Sequence, residues 1–198
     1  MKTAPTRSAE GASARQRLLE AANELFYEEG VHTVGIDRVI EKAGVAKASL
    51  YSTFGSKEAL VQAYLAGRHE SRKARIAKKV AAATTPRARL LAVFEGLEER
   101  VSERSFRGCA FVLATAEGRP GAGVRRVCDQ SRAWMRGLFV ELAADAGAVD
   151  PERLAQQLLL LYDGATVGSY MDEDPSVATS ARALATTLID AAIGKRAR

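Results

Sequence analysis

Residues Thr33–Leu60 have the sequence TVGIDRVIEKAGVAKASLYSTFGSKEAL, and this stretch decides the fold. Its apolar spacing predicts two short helices, about Ile36–Ala43 and Lys47–Phe54, joined through Gly44 and Val45. Two short helices around a tight glycine-containing turn are typical of a helix-turn-helix, in which the glycine takes a positive φ. The second helix of such a motif lies in the major groove of DNA. We therefore interpret the stretch as a DNA-binding motif.

The second short helix has one apolar side, on which Leu50 and Phe54 point into a small core. Its other positions form an outer face of short or hydrogen-bonding side chains, which suit base edges and phosphates. The alternative is that Tyr51 packs in the core and that the serines are ordinary surface residues. The outer face consists of Lys47, Ala48, Ser49, Tyr51, Ser52 and Thr53.

Outside this stretch the sequence also predicts helices, because alternating strand patterns are absent. We therefore predict an all-α protein whose N-terminal three-helix bundle contains the helix-turn-helix. The expected organisation is a flexible arm in residues 1–13, a DNA-binding domain in 14–56 and a larger helical domain in 57–198. Helix starts are predicted from capping residues and prolines at Ser13, Ser56, Thr85-Pro86, Asp150-Pro151 and Asp174-Pro175.

The amino-acid composition limits the classes of protein to which this chain can belong. Hydrophobic residues make up 47% of the 198 residues, which is enough for a packed core. No apolar run reaches the length of a membrane helix and the N-terminus has no signal core, so we expect a cytoplasmic protein without a membrane partner. The two cysteines and two histidines form neither a disulfide framework nor a metal site. With no readable catalytic constellation, we predict neither an enzyme nor a cofactor.

Charge is distributed unevenly along the chain, whose formal net charge is +5. Residues 1–60 carry eight Lys or Arg and eight Asp or Glu, whereas residues 61–90 carry eight Lys or Arg against one Glu. We call the segment from Arg68 to Arg89 the basic block. We interpret it as a solvated helix face, in which His69 is also solvated, with a second DNA surface as the alternative.

Residues 44–65, GVAKASLYSTFGSKEALVQAYL, closely resemble the helix-turn-helix signature of the TetR/AcrR family of repressors. The continuation from Leu50 to Leu60, Leu-Tyr-x-x-Phe-x-Ser-Lys-Glu-x-Leu, makes the resemblance specific, and it covers about residues 14–65. The resemblance implies a homodimer whose last two helices form a four-helix interface. It also implies a ligand pocket in the C-terminal domain and release from a near-palindromic DNA operator when a small molecule binds.

The resemblance also assigns site residues. Thr33 and Lys57 match positions that contact phosphate, and a helix N-terminus at Lys57 would favour an anion on electrostatic grounds. Ala46 departs from the family, which usually has a serine there, so the recognition helix is expected to lack a side-chain cap. The positions that match the family's DNA contacts within that helix are Lys47, Ser49, Tyr51, Ser52 and Thr53.

The effector cannot be identified from the sequence, although the few charges expected inside the second domain favour an apolar or aromatic compound. Plain core packing is the alternative for every residue proposed to line its pocket. The candidate lining residues are Phe94, Leu97, Phe106, Phe111, Trp134, Met135, Leu138 and Tyr162.

The dimer interface is expected within about residues 152–193. Two apolar stripes are predicted there, with packing inside one chain as the alternative. The first consists of Leu154, Leu158, Leu161 and Ala165, and the second consists of Leu184, Leu188 and Ala191. Two other functions stay open at this point: a DNA-binding regulator without ligand control, and a transcriptional activator.

Overall fold

The computed structural model describes residues 13–116 and 121–193, and the regular structure in these ranges is entirely helical. This confirms the all-α prediction, whereas residues 1–12 of the predicted arm lie outside the described ranges. No described helix combines the length and the hydrophobicity that a membrane crossing needs. The helices are α1 (Ala14–Glu29), α2 (Ile36–Ala43), α3 (Lys47–Phe54), α4 (Lys57–Ala82), α5 (Pro86–Val101), α6 (Ala110–Ala116), α7 (Ala122–Asp145), α8 (Pro151–Met171) and α9 (Ser176–Ile193).

Four of the five predicted helix starts are confirmed by their hydrogen bonds, whereas α9 begins at Ser176, one residue after the predicted Pro175. The Ser13 hydroxyl accepts from the Gln16 N–H at 3.2 Å, and the Ser56 hydroxyl accepts from the Ala59 N–H at 3.1 Å. Thr85 and Asp150 cap α5 and α8 in the same way, each followed by a proline at the first helical position. Each cap satisfies a backbone donor that the helix itself leaves unpaired.

The described residues divide into two compact units. The first contains residues up to Gly67 together with Leu113–Val127, and the second contains Arg68–Val112 and residues from Cys128 onward. These packing units differ from the functional domains 14–56 and 57–198 expected from the sequence, because the start of α4 and the segment Leu113–Val127 pack with the first unit. The functional boundary between 56 and 57 stays a prediction.

The core of the first unit is formed by side chains that α1, α2, α3 and α4 bury completely. Leu18, Val39, Leu50 and Leu60 have no exposed surface. Phe26 on α1 packs edge-to-face against Tyr64 on α4, with ring centroids 5.7 Å apart. Each large side chain buried in this way stabilises the unit by about 1.5–3 kcal/mol.

Ion pairs join α2 to α1 across the surface of this unit. The Arg38 guanidinium binds both carboxylate oxygens of Glu29, at 2.5 and 2.9 Å, and Lys42 binds Glu24. The Arg38 hydrogen bond lowers the pKa of Glu29. Such exposed pairs contribute little free energy each, so the buried side chains contribute more to the stability of this unit.

The start of α7 lies very close to α4 within the first unit. A Cβ atom at Gly121 would overlap the carboxylate of Glu58, and one at Gly123 would overlap the amide of Gln62. The absence of side chains at these two glycines therefore permits the close approach.

The second unit has a separate aromatic core. Phe94 on α5, Phe139 on α7 and Tyr162 on α8 form a triangle with ring centroids 6.0–6.3 Å apart. Aliphatic residues from the same helices and from α9 complete this core, including Leu97, Leu154, Leu158, Ala185 and Ile189.

Candidate functional site

The turn between α2 and α3 has the geometry that its glycine predicts. Gly44 adopts φ +61° and ψ +41°, and its N–H donates to the carbonyls at the end of α2. On the far side of the turn Leu50 is fully buried, which fixes the rotation of α3 about its own axis. An alanine at Gly44 would be strained at this φ. The turn and Leu50 together determine which side of α3 faces outward.

The outward side of α3 presents the predicted residues to solvent. Lys47, Ala48, Ser52 and Thr53 are exposed and Ser49 is half-buried. Tyr51 is 47% exposed, so its ring lies on the surface and does not fill the core. A tyrosine presented in this way offers both a flat apolar ring and a hydroxyl to a partner.

Two hydroxyls on this face are already engaged within the helix. The Ser52 Oγ–H and the Thr53 Oγ1–H both donate to the carbonyl of Ser49, at 3.1 and 2.6 Å. Their oxygens keep lone pairs that can accept from a base amino group. In this conformation the face offers mainly acceptors from these two residues.

Lys47 is paired with an acidic residue on the preceding helix. Its ammonium lies 2.8 Å from Asp37 Oδ1, and this hydrogen bond raises the pKa of Lys47. Ala46, the residue before α3, makes no side-chain cap bond, as expected from its methyl side chain. Asp37 therefore pairs with Lys47 at the start of a helix whose N-cap residue provides no side-chain cap.

The two predicted phosphate contacts flank this face in the sequence. Thr33 is exposed before α2, and Lys57 is the first residue of α4, whose start is capped by the Ser56 hydroxyl. The structure describes all eight of the residues predicted to bind DNA, and their contact with DNA stays a prediction.

The second unit contains a cavity of about 280 Å³. Of the eight residues predicted to line a pocket, Leu97, Phe111 and Tyr162 line this cavity. The other five are core or near-core side chains that do not line it. Phe94 and Met135 are buried, and Phe106, Trp134 and Leu138 are partly buried against the core.

Sequence reasoning missed the arginines of this cavity. Arg68, Arg72 and Arg75 on α4 line it together with Arg100 on α5. The first three stand at i, i+4 and i+7, so they share one face of a helix. That spacing was the available signal, but it does not reveal whether the face is solvated or covered.

His69 is not solvated as expected. Its ring is half-buried, packs against Trp134 with centroids 5.5 Å apart, and places Nδ1 3.1 Å from the Ser131 hydroxyl. Burial and then the nearby Arg72 charge lower the pKa of His69. The basic block is therefore partly a wall of the cavity.

The stripe that was predicted on α8 for the dimer interface is largely wrong. Leu154, Leu158 and Ala165 are buried in the chain's own core, so they are unavailable to a second chain. A different face of α8 is exposed and apolar, with Leu160 at 73% and Met171 at 74% exposure. Gly164 and Val167 lie on the same exposed face. On α9 the exposed side includes Leu184, at 56% exposure, with Ser180, Thr187 and Ala191.

The sequence matches the family described as "Bacterial regulatory proteins, tetR family" over residues 18–64. The crystal structure of a TetR-family transcriptional regulator from Streptomyces coelicolor is similar with a TM-score of 0.87 and 30% identity, covering 91% of this chain and 96% of that one. A TetR-type regulator structure from Streptomyces avermitilis is similar with a TM-score of 0.79 and 36% identity, over 91% of this chain and 98% of that one. These likenesses extend through both units.

Curated relatives match over less than half of this chain. The transcriptional regulator SrpR of Pseudomonas putida is 39% identical over 61 residues, which are 31% of this chain and 29% of SrpR. The transcriptional activator FasR of Mycolicibacterium smegmatis is 33% identical over 91 residues, which are 46% of this chain and 42% of FasR. The chain thus covers less than half of the length of these two relatives.

Proposed function

Because the chain belongs to the TetR family of bacterial transcriptional regulators, which bind DNA, we propose that it is a repressor controlled by a small molecule. It binds a near-palindromic operator as a homodimer, and an effector held in the cavity of the second unit releases it. The exposed outer face of α3 is the observation that carries this proposal.

The proposed DNA contacts follow from that face. Lys47, Tyr51 and Thr53 are exposed on an eight-residue helix whose opposite side is anchored by Leu50. Such a helix can enter the major groove, where hydroxyl, amide and charged groups distinguish base pairs by their hydrogen-bonding patterns. Ala48, Ser49 and Ser52 complete the base-facing set, and Thr33 and Lys57 contact phosphates.

A homodimer accounts for the apolar surface left exposed on α8 and α9. Leu160, Met171 and Leu184 are large apolar side chains that a single chain leaves in water. Pairing these two helices with those of a second copy would bury them in a four-helix interface. The dimer would then present two α3 helices to successive major grooves, which are about 34–36 Å apart.

Effector control follows from differential affinity. A ligand that binds better to a conformation with the wrong spacing of the two α3 helices lowers the affinity for the operator. Helix α4 begins beside the proposed DNA contacts at Lys57 and carries three of the cavity arginines, so one continuous element serves both sites.

The DNA-binding part is tested by selecting duplexes from genomic fragments with the purified chain and measuring their affinity by fluorescence anisotropy. Tyr51→Ala should weaken binding to the selected site by about tenfold or more, the usual effect of losing a base contact. Its melting temperature should stay near that of the wild type, because the side chain is half-exposed. Tyr51→Phe separates the contribution of the ring from that of the hydroxyl. Absence of any preferred duplex at moderate salt would overturn the proposal.

The dimer is tested by sedimentation. Leu160→Asp places a charge in the proposed interface and should shift the protein to monomer without loss of helix content. Val149→Asp is the matched control, since Val149 is also exposed but lies outside both helices. A wild type that sediments as a monomer at micromolar concentration would contradict the dimer.

Activation is a second candidate, favoured by the likeness to FasR, which is named a transcriptional activator. The same DNA contacts serve either outcome, because the sign of regulation depends on where the operator lies relative to the promoter. Transcription in vitro from the promoter beside the selected site, with and without the protein, distinguishes the two.

A further inference from the structure

The cavity of the second unit is small and has walls from four parts of the chain. Residues on α4, α5 and α8 and the segment from Glu103 to Val112 enclose about 280 Å³. Ligand pockets commonly measure about 300–1,000 Å³, so this cavity suits a small occupant.

Positive charge in the cavity exceeds the negative charge that could balance it. Four arginines line it, against two carboxylates. Glu103 is bound by Arg100 at 2.5 Å, and Asp163 is bound by Arg132 at 2.5 Å. Within the described ranges neither Arg72 nor Arg75 has an ion-pair partner. The two guanidiniums therefore leave uncompensated positive charge at the cavity wall.

Arg72 is held rigidly at this wall. It donates a hydrogen bond to the buried Ser131 hydroxyl, which also contacts His69 Nδ1. Its guanidinium carbon lies 4.7 Å from the centroid of the Phe111 ring. A guanidinium fixed by a hydrogen bond and an aromatic face loses little conformational freedom when it binds a ligand.

Both arginines also carry unused donors. The Nε atoms of Arg72 and Arg75 are buried, and no group among the described residues accepts from them. A buried charged donor without an acceptor is unfavourable. An oxyanion that enters the cavity would supply acceptors and a balancing charge together.

The rest of the lining suits an organic body. Leu97, Phe111 and Val112 contribute apolar surface to the cavity. Burial raises the pKa of Tyr162, so its hydroxyl is neutral and can donate. The Thr166 hydroxyl is already engaged, since it donates to the Tyr162 carbonyl at 2.7 Å.

We propose that the effector is a small organic oxyanion, a carboxylate or a phosphate ester, whose charged group is bound by Arg72 and Arg75. Its apolar part lies against Leu97, Phe111 and Val112. This adds a charged group to the apolar or aromatic compound expected from the sequence, and it rests on the proposed function only in naming this cavity as the effector site.

The test uses acids and amides that are matched in shape and differ in charge. It also uses a phosphate ester together with inorganic phosphate, which has the charged group without the organic body. Benzoate and phenylacetate are compared with benzamide and phenylacetamide, and phenyl phosphate is compared with inorganic phosphate, all at constant ionic strength. Thermal shift and titration calorimetry on the full chain measure binding. We expect the acids or phenyl phosphate to raise the melting temperature and the amides to leave it unchanged. The carboxylate and phosphate arms show which oxyanion the site prefers.

Variants locate the binding. Arg75→Gln should lower the affinity for the acid by about tenfold or more, because one charge-assisted hydrogen bond is lost. The variant should still fold, because Arg75 makes no ion pair with the residues that the structure describes. Lys78→Gln removes a charge from the exposed side of the same helix and should leave the affinity unchanged. Equal stabilisation by the amides, no stabilisation by any acid or phosphate, or full affinity in Arg75→Gln would overturn the inference.

Operator binding separates this inference from the proposed function. If an amide releases the operator from the wild type, ligand control stands and the anion inference fails. If an acid binds through Arg75 but leaves operator affinity unchanged, the anion site stands and ligand control fails.

Discussion

The outer face of α3 and the arginine wall of the cavity use charge in opposite ways. On α3, Lys47 is exposed and already paired with Asp37. At the cavity, Arg72 and Arg75 line a partly enclosed space without an ion-pair partner among the described residues. The most basic segment of the chain therefore does not coincide with the face proposed for DNA. The sequence shows where cationic side chains are concentrated. Which molecule they bind depends on whether the fold exposes them to solvent or encloses them in a cavity.

The substitution with the largest expected effect tests whether DNA binding by α3 can be lost while ligand binding in the cavity remains. Leu50→Ala should lower the free energy of unfolding by about 2–5 kcal/mol, because it leaves a cavity beneath α3. Operator binding should be lost with it, since the outer face is no longer held. Urea unfolding and anisotropy measure the two effects. If the variant also loses its thermal shift with phenylacetate or phenyl phosphate, the two regions are not separable in this way.

Lys57→Ala should weaken binding to every duplex alike. A phosphate contact carries no sequence information, and its loss flattens the plot of log affinity against log salt by about one unit. The measurement is anisotropy over a salt series with the selected site and with an unrelated duplex. Lys78→Ala is the control and should keep the wild-type slope. An unchanged slope in Lys57→Ala would remove this residue from the DNA contacts.

Asp37→Asn should strengthen DNA binding. The substitution frees the Lys47 ammonium for a phosphate and removes a negative charge from beside α3. An exposed ion pair is worth at most about 1 kcal/mol, so the gain should be about fivefold or less. Glu20→Gln removes a carboxylate from the exposed side of α1 and should leave the affinity unchanged. Weaker binding in Asp37→Asn would mean that Asp37 positions Lys47 and does not compete with DNA.

The smallest effect concerns His69, beside the arginine wall. Burial and the nearby Arg72 charge hold the pKa of His69 in the folded chain below the ordinary value of about 6.5, so the unfolded chain takes up the proton first as the pH falls. The stability that His69 contributes is present above about pH 6.5 and is lost as the pH falls from there towards the folded pKa. His69→Gln should therefore lose less stability than the wild type between pH 7.5 and 5.5. The difference should be below about 1 kcal/mol, because the ring is partly in water.

Local signals predicted much of the fold. Helix starts at Ser13, Ser56, Thr85 and Asp150 depend on residues within one turn, and the positive φ of Gly44 follows from its position between two short helices. The exposed side of α3 was also predictable, because Leu50 gives that helix one clearly apolar direction.

Features that depend on contacts between distant parts of the chain could not be predicted from the sequence. Residues 158–161 are four consecutive leucines, so this turn of α8 is apolar on every side, and the sequence does not show which side packs into the chain's own core. The core takes Leu158 and Leu159 and leaves Leu160 in water. Likewise, the face of Arg68, Arg72 and Arg75 has the same pattern whether solvent or a cavity lies beside it.

The segment Leu113–Val127 packs with the first unit although it lies far along the chain from Gly67. A chimaera that joins the first unit to the C-terminal domain of another protein directly after Gly67 would lack this segment. It would also lack Gly121 and Gly123, which lie beside Glu58 and Gln62. A folded chimaera would have to include Leu113–Val127 as well. Alternatively, the new domain would need an equivalent segment that leaves room for the side chains of Glu58 and Gln62. Exchanging the second unit of this protein for another domain therefore requires three junctions and not one.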